Sequence, residues 1–242
     1  MPELLRLARV AKRFSGLEVL KDVSFEVSEG EVVGLIGPNG AGKTTLFNII
    51  SGTLKPNGGR VFFSGRDITG MPPYKVAKLG IARTFQIPQP FSAMTVLENV
   101  EAAALFSNAG SRGRLLRDPA ELLEMIGLGG KLNQAAGLLT APEKKRLEVA
   151  RALSTSPALL MLDEFAAGLT IAEATWASGV IKKLSSEFGV TIIWTEHVMR
   201  ILMRSVERVL VLQQGEVIAQ GTPEEVAKDE RVLSAYFGGK PA

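Results

Sequence analysis

The chain has 242 residues, 46% of them hydrophobic and 22% charged, enough for a real core in one large α/β domain or a domain with a smaller appended lobe. Cysteine is absent and histidine occurs once, which excludes disulfides, thiolate metal sites and any site of several imidazoles. The net charge of +3 comes from basic residues dispersed among acidic ones, so no stripe suited to nucleic acid is present. No apolar run approaches the ~18 residues of a membrane span, and the opening MPELLRLARVAKRF lacks the apolar segment of a signal peptide. A soluble, cytoplasmic protein is expected, one that meets a membrane only through a partner.

In chain order, LLRLARV and VSFEV read as short strands broken by SGLE and SEGE turns. EVVGLIG is a buried strand running into GPNGAGK and the helix TTLFNIISG. KPNGGRVFFSGRDI reads as a hairpin at a sheet edge. After GIARTFQ the character changes. From about Thr95 to Leu153 the pattern is mostly helical, broken by the loop-like SNAGSRGR and GLGGK. The strand ALLMLDE follows, then a helix, the strand VTIIWTE, a helix, and the strands RVLVLQQ and EVIAQ. This alternation implies a parallel sheet flanked by helices and interrupted by a helical insert. The expected division is one domain over 1–242, with residues 1–94 and 155–242 forming an α/β core and 95–154 the helical part.

Three stretches carry chemistry. Gly37 to Thr45, GPNGAGKTT, lies between an apolar strand and a helix, the context of a phosphate-binding loop. Its glycines let backbone N–H groups turn inward, Lys43 reaches the β and γ phosphates, and Thr44 offers its hydroxyl to Mg²⁺. Asp163 and Glu164 end the apolar run LLMLDE, at the strand edge where parallel sheets bind ligands. Asp163 is expected to hold Mg²⁺ mostly through its water shell, and Glu164 to accept a proton from an attacking water. Gln86, after GIARTF, and His197, after VTIIWTE, follow the same order of strand, polar residue and helix.

The third stretch is LTAPEKKRLEVAR. Thr140 and Glu143 have the spacing of a capping box, and Pro142 fits a first helical turn. Glu143 with Arg146, Lys144 with Glu148, and Glu148 with Arg151 are expected to lace an exposed face. By itself the stretch reads first as a well-capped surface helix; the alternative is a positive helix end that meets an anion.

These motifs, in this order, resemble the ATP-binding subunits of ABC transporters over nearly the whole chain. The resemblance implies a P-loop NTPase core with a mostly parallel sheet, an N-terminal antiparallel β subdomain and a helical insert. It implies ATP and Mg²⁺ as cofactors. Phe14 then stands where an aromatic stacks on adenine, and Val19, Gly37, Asn39, Gly40, Ala41, Gly42, Lys43, Thr44, Thr45 and Gln86 contact the nucleotide. Thr44, Gln86 and Asp163 serve Mg²⁺, and Glu164 and His197 are the catalytic pair. AAGLT resembles the D-loop. LTAPE stands at the signature that caps ATP held by a partner ATPase, through Thr140, Pro142 and Glu143. Pro142 replaces a glycine that donates its N–H, which proline lacks. Phe165 and Val198 are smaller departures, from a Pro and an Asp.

GIARTFQ, MTVLENV, RLEVARAL, DEFAAGLT and the ending GEVIAQGTPEEVAKDERVLSAYFG resemble one branch, the ATPases of branched-chain (hydrophobic) amino-acid importers. That branch implies two membrane permease subunits, a second related ATPase or a self-dimer, an extracytoplasmic binding protein acting indirectly, and no nucleic acid. It implies a peripheral location on the cytoplasmic face of the inner membrane. An ATPase of a urea or amide importer, or a regulatory ATP-binding subunit with weak hydrolysis, remains the alternative. A soluble ABC protein of ribosomes or DNA would carry two cassettes or a long coiled-coil insert, and this chain has neither.

Overall fold

The computed structural model describes residues 2–105, 118–166, 170–196 and 199–237. The expected SNAGSRGR loop therefore lies outside the described residues.

Strands β1 (Glu3–Phe14) and β2 (Leu17–Ser28) pair antiparallel and are longer than the runs LLRLARV and VSFEV suggested. The register of β1 against β2 shifts between Leu7 and Val10, where Arg9 has φ of 50°. Such a bulge breaks strict alternation, so the sequence pattern fades while the pairing continues. Ser15 and Gly16, at φ 45° and 91°, turn the hairpin, a conformation that suits glycine. Strands β3 (Val32–Ile36), β4 (Gly58–Phe63) and β5 (Arg66–Asp67) come next. The β4–β5 hairpin joins β1, giving a four-stranded antiparallel sheet in the order β2-β1-β4-β5.

A second sheet runs β10-β9-β3-β8-β7-β6, from β6 (Ile81–Arg83), β7 (Leu159–Asp163), β8 (Thr191–Thr195), β9 (Arg208–Gln213) and β10 (Glu216–Gly221). All neighbours are parallel except β9 and β10. Every residue of β3, β7 and β8 is buried, as expected for central strands covered on both faces. One apolar layer packs Leu35, Leu46, Phe47 and Met161 with the antiparallel sheet. The other packs Ile36, Leu162, Trp194 and Val211 with the helices.

The helices are α1 (Lys43–Ile50), α2 (Pro73–Lys78), α3 (Val96–Ala104), α4 (Pro119–Met125), α5 (Ala141–Ser154), α6 (Ile171–Phe188), α7 (Met199–Met203), α8 (Pro223–Lys228) and α9 (Glu230–Phe237). Helices α3, α5, α6 and α8 each start with the pattern T-x-x-E, and in each the Thr backbone N–H donates to the Glu carboxylate, at 2.7, 3.0, 2.9 and 2.7 Å. The strand expected in GIARTF before Gln86 is β6, three residues long. Helix α2 was not expected from the sequence, because six residues are too short for a hydrophobic period to declare itself.

Candidate nucleotide site

Between β3 and α1 the chain makes a turn that only glycine permits at two points. At Gly37 (φ 155°) a Cβ would fall on the Leu212 carbonyl, so the loop can leave β3 against β9 only without a side chain. At Gly42 (φ 107°), the N-cap of α1, a Cβ would stand 2.7 Å from Leu20 Cδ2 and 3.0 Å from the Val19 carbonyl. Val19 thus lies beside the loop. Gly40 opens to free space, Ala41 is buried, Asn39 and Thr44 are exposed, and Thr45 is half-buried. No side chain caps the start of α1, so its first N–H groups face the loop mouth.

Lys43 is buried and folds back over this loop, with Nζ donating to the carbonyls of Gly37 at 2.5 Å and Pro38 at 3.1 Å. Burial lowers its pKa, while the nearby charges of Glu164 and Asp163 raise it. Those charges tie the loop to the end of β7. A glycine-lined cradle with an ammonium turned into it fits a polyphosphate.

At the end of β7, Asp163 is 6% exposed. Its Oδ2 accepts from Arg83 Nη2 at 2.9 Å and its Oδ1 from the Thr195 hydroxyl at 3.0 Å. Glu164 follows with φ of 51°, a left-handed conformation held by its N–H donating to the Thr195 carbonyl at 3.1 Å. A non-glycine residue there stores about 1–3 kcal/mol of strain, a cost tolerated where a side chain must be aimed. Glu164 Oε2 accepts from Gln86 Nε2 at 2.8 Å, and the Glu164 carbonyl accepts from Lys145 Nζ at 3.0 Å. Gln86, Asp163, Thr44 and Arg83 border one cavity of about 860 Å³. Among the described residues no three Asp, Glu, His or Cys side chains gather to hold a metal. A hydroxyl, an amide and one carboxylate, completed by water and phosphate oxygens, fit Mg²⁺.

Phe14 is 42% exposed at the tip of the β1–β2 hairpin, with Lys12 Nζ 5.0 Å from its ring centroid. His197 and Val198 lie outside the described residues, as do Ala167 to Leu169 of the AAGLT motif. Thr140, Pro142 and Glu143 form the start of α5, with Thr140 as its N-cap, and none of them lines the cavity that Gln86 and Asp163 border. The capping box is present, and the Glu143 carboxylate is further engaged by Lys131 at 2.6 Å.

The expected lacing of an exposed α5 face is corrected by the structure. Glu143 pairs with Lys131 rather than Arg146. Arg146 pairs with Glu173 at 3.5 Å and lies over Trp176. Glu148 is buried and accepts the Phe85 N–H at 3.0 Å, while Arg151 donates to the Gln89 carbonyl. Helix spacing shows which residues are neighbours on one helix, but not what the rest of the chain lays over them. Two functional candidates carried no sequence signal of their own. Arg83 clamps Asp163, and the buried Glu196 accepts from the Trp194 indole N–H at 3.0 Å and from the Ala166 N–H. Burial pushes the Glu196 carboxyl above its ordinary pKa.

A parallel sheet with a glycine-rich phosphate loop after one central strand and paired carboxylates after another defines a P-loop nucleotide-binding ATPase. The sequence matches the family model described as ABC transporter over residues 20–167, and residues 216–242 match one described as branched-chain amino acid ATP-binding cassette transporter. The chain belongs to the ABC transporter family, as one of its ATP-binding cassettes. It is 38% identical over 249 aligned positions to the high-affinity branched-chain amino acid transport ATP-binding protein BraF of Pseudomonas aeruginosa, covering 97% of this chain and 98% of that one. The crystal structure of an ABC transporter cassette in its ADP conformation superimposes with a TM-score of 0.86 at 32% identity, over 99% of this chain and 100% of that one. A dimeric cassette in a post-hydrolysis state, bound to ADP and phosphate, gives 0.80 at 27% identity over 91% and 99%.

Proposed function

We propose that this chain is the ATP-hydrolysing subunit of an importer for branched-chain, hydrophobic amino acids, working with Mg²⁺, two membrane permeases and a second related ATPase. The observation that supports it most is the convergence of Lys43, Gln86, Asp163 and Glu164, from three separate segments, on one edge of the parallel sheet. Lys43 would exchange its two carbonyl partners for phosphate oxygens. Thr44, Gln86 and Asp163 would hold Mg²⁺, which when bound offsets phosphate charge. Glu164 would accept the proton of the attacking water once Gln86 releases its carboxylate, with His197 as the second catalytic residue.

The 38% identity to BraF and the match of residues 216–242 support the amino-acid branch. Exposed Phe85, Ile87 and Phe91, at 56, 72 and 51%, supply an apolar surface for permease contact. Among the described residues no helix is long and apolar enough to cross a membrane, which suits a peripheral subunit on the cytoplasmic face. Transport would then draw indirectly on an extracytoplasmic binding protein.

Lys43→Ala should abolish ATP binding and leave the melting temperature within a degree or two, because the ammonium serves the loop rather than the core. ATP titration alongside thermal melting checks this, and parental affinity in a normally folded variant would refute the loop assignment. Reconstitution with the permeases and the second ATPase, scoring ATP-driven uptake of leucine against urea, tests the substrate class.

A further inference from the structure

Helix α5 reaches the catalytic edge through three side chains spaced by three, Lys145, Glu148 and Arg151, which form one stripe along the helix. Lys145 donates to the Glu164 carbonyl at 3.0 Å. Glu148 Oε1 accepts the backbone N–H of Phe85 at 3.0 Å. Arg151 donates to the Gln89 carbonyl at 3.0 Å, and its guanidinium lies 4.8 Å from the Phe91 ring centroid. The segment so held is irregular. It leaves the sheet at Thr84, whose N–H still pairs with Met161 of β7, and is caught again at Phe91, which exchanges two hydrogen bonds with Asn99 of α3. Between these points Phe85 and Ile87 point largely to solvent, so burial does little to set where Gln86 sits.

We propose that Glu148 is a positioning residue for ATP hydrolysis: the strut by which α5 holds the Phe85–Gln86 backbone so that Gln86 meets Glu164. The inference rests on the ATPase reading above. A carboxylate 9% exposed on a helix is expensive unless its oxygens are used, and this one is used on a single backbone N–H. Arg83 of β6 and Lys145 and Arg151 of α5 surround it with positive charge. Burial outweighs them and the Phe85 N–H, and lifts its pKa to about 7. The same helix begins at Thr140 and Pro142, the end that would face a partner's nucleotide. A shift of α5 is thereby carried to Gln86 and to the Glu164 backbone together, with Lys145 and Arg151 as the flanking ties.

The test compares Glu148→Ala with Glu148→Gln in the full chain, with turnover read in the assembled transporter. Glutamine keeps an oxygen acceptor for the Phe85 N–H and alanine removes it. The alanine variant should lose about tenfold in kcat with KM for ATP changed less than about twofold, and the glutamine variant should recover most of the loss. Hydrogen exchange should quicken at the Phe85 and Gln86 amides of the alanine variant alone, with β3 and β7 still protected. Parental kcat and protection in the alanine variant would overturn the proposal. So would a glutamine variant as slow as alanine, or a loss of protection shared by β3 and β7, which would mark Glu148 as a fold residue. A parent without ATPase activity would refute the ATPase reading, and the exchange comparison would still decide whether the strut exists.

Discussion

Glu148 illustrates how one residue's surroundings set its chemistry. Its pKa of about 7 arises first from burial, against the opposing pull of the Phe85 N–H and of Arg151, Lys145 and Arg83. A carboxyl that binds its proton more tightly when folded stabilises the fold most below the unfolded value, near 4.5, and this contribution is lost as pH rises through about 7. The melting temperature of the parent should therefore fall relative to Glu148→Gln across that window. A difference between the two that stays constant from pH 4.5 to 7.5 would contradict the buried-carboxyl reading. Glu164 differs in kind, since its left-handed backbone and its bond to Gln86 aim the side chain. Glu164→Gln should keep ATP affinity and slow hydrolysis by about two to four orders of magnitude, as expected for loss of a general base. Single-turnover kinetics in the assembled transporter would decide, and parental turnover would reassign the base.

At the scale of elements, the starts of helices were the most legible feature. Thr140 with Glu143 was readable as a capping box because every partner lies within four residues, and the structure contains it. The same device at Thr222 and Glu225 fixes the turn from β10 into α8. Thr222→Ala should cost about 1 kcal/mol, the usual loss of a threonine cap. In a chain of this length that lowers the melting temperature by about 2–4 °C, which calorimetry can resolve. An unchanged melt would mean that packing alone holds α8. The faces of helices were less legible. The α5 charges looked like mutual partners on an exposed face, yet Lys131, Glu173, Phe85 and Gln89 take them up from three other segments. Spacing along one helix cannot show that a neighbouring segment covers it.

The whole molecule raises the question of pairing. A head-to-tail dimer of this chain with itself would complete both sites with Pro142, and each would lack one N–H donor to phosphate. A charge-assisted hydrogen bond of that kind is worth about 1.5–3 kcal/mol. A different partner ATPase could bring an intact signature to the Lys43 and Glu164 site of this chain. The isolated chain should thus sediment mostly as a monomer at saturating ATP in a Glu164→Gln background. Adding Pro142→Gly should strengthen association, less than the full bond because glycine loosens the first turn of α5. Tight dimers with Pro142 in place would show that the missing N–H does not matter and that the capped-helix role of LTAPE suffices.

Taken alone, the amino-acid sequence determined whatever is encoded in consecutive residues. The phosphate loop was readable because Gly37 and Gly42 adopt angles that exclude side chains, and Lys43 follows at a fixed place in the next helix. The buried strands ending in Asp163 and Thr195 were readable because a strand covered on both faces is apolar throughout. Tertiary structure decided the contacts between distant segments. Arg83 reaches Asp163 across 80 residues, Gln86 reaches Glu164 across 78, and Phe85 finds Glu148 across 63. None of these pairs has a local spacing to betray it, because β6 lies beside β7 only after the helical segment between them has folded out of the sheet. The burial of Glu148 follows from the same event, since a helix charge becomes an interior one only when another stretch of chain is laid across it.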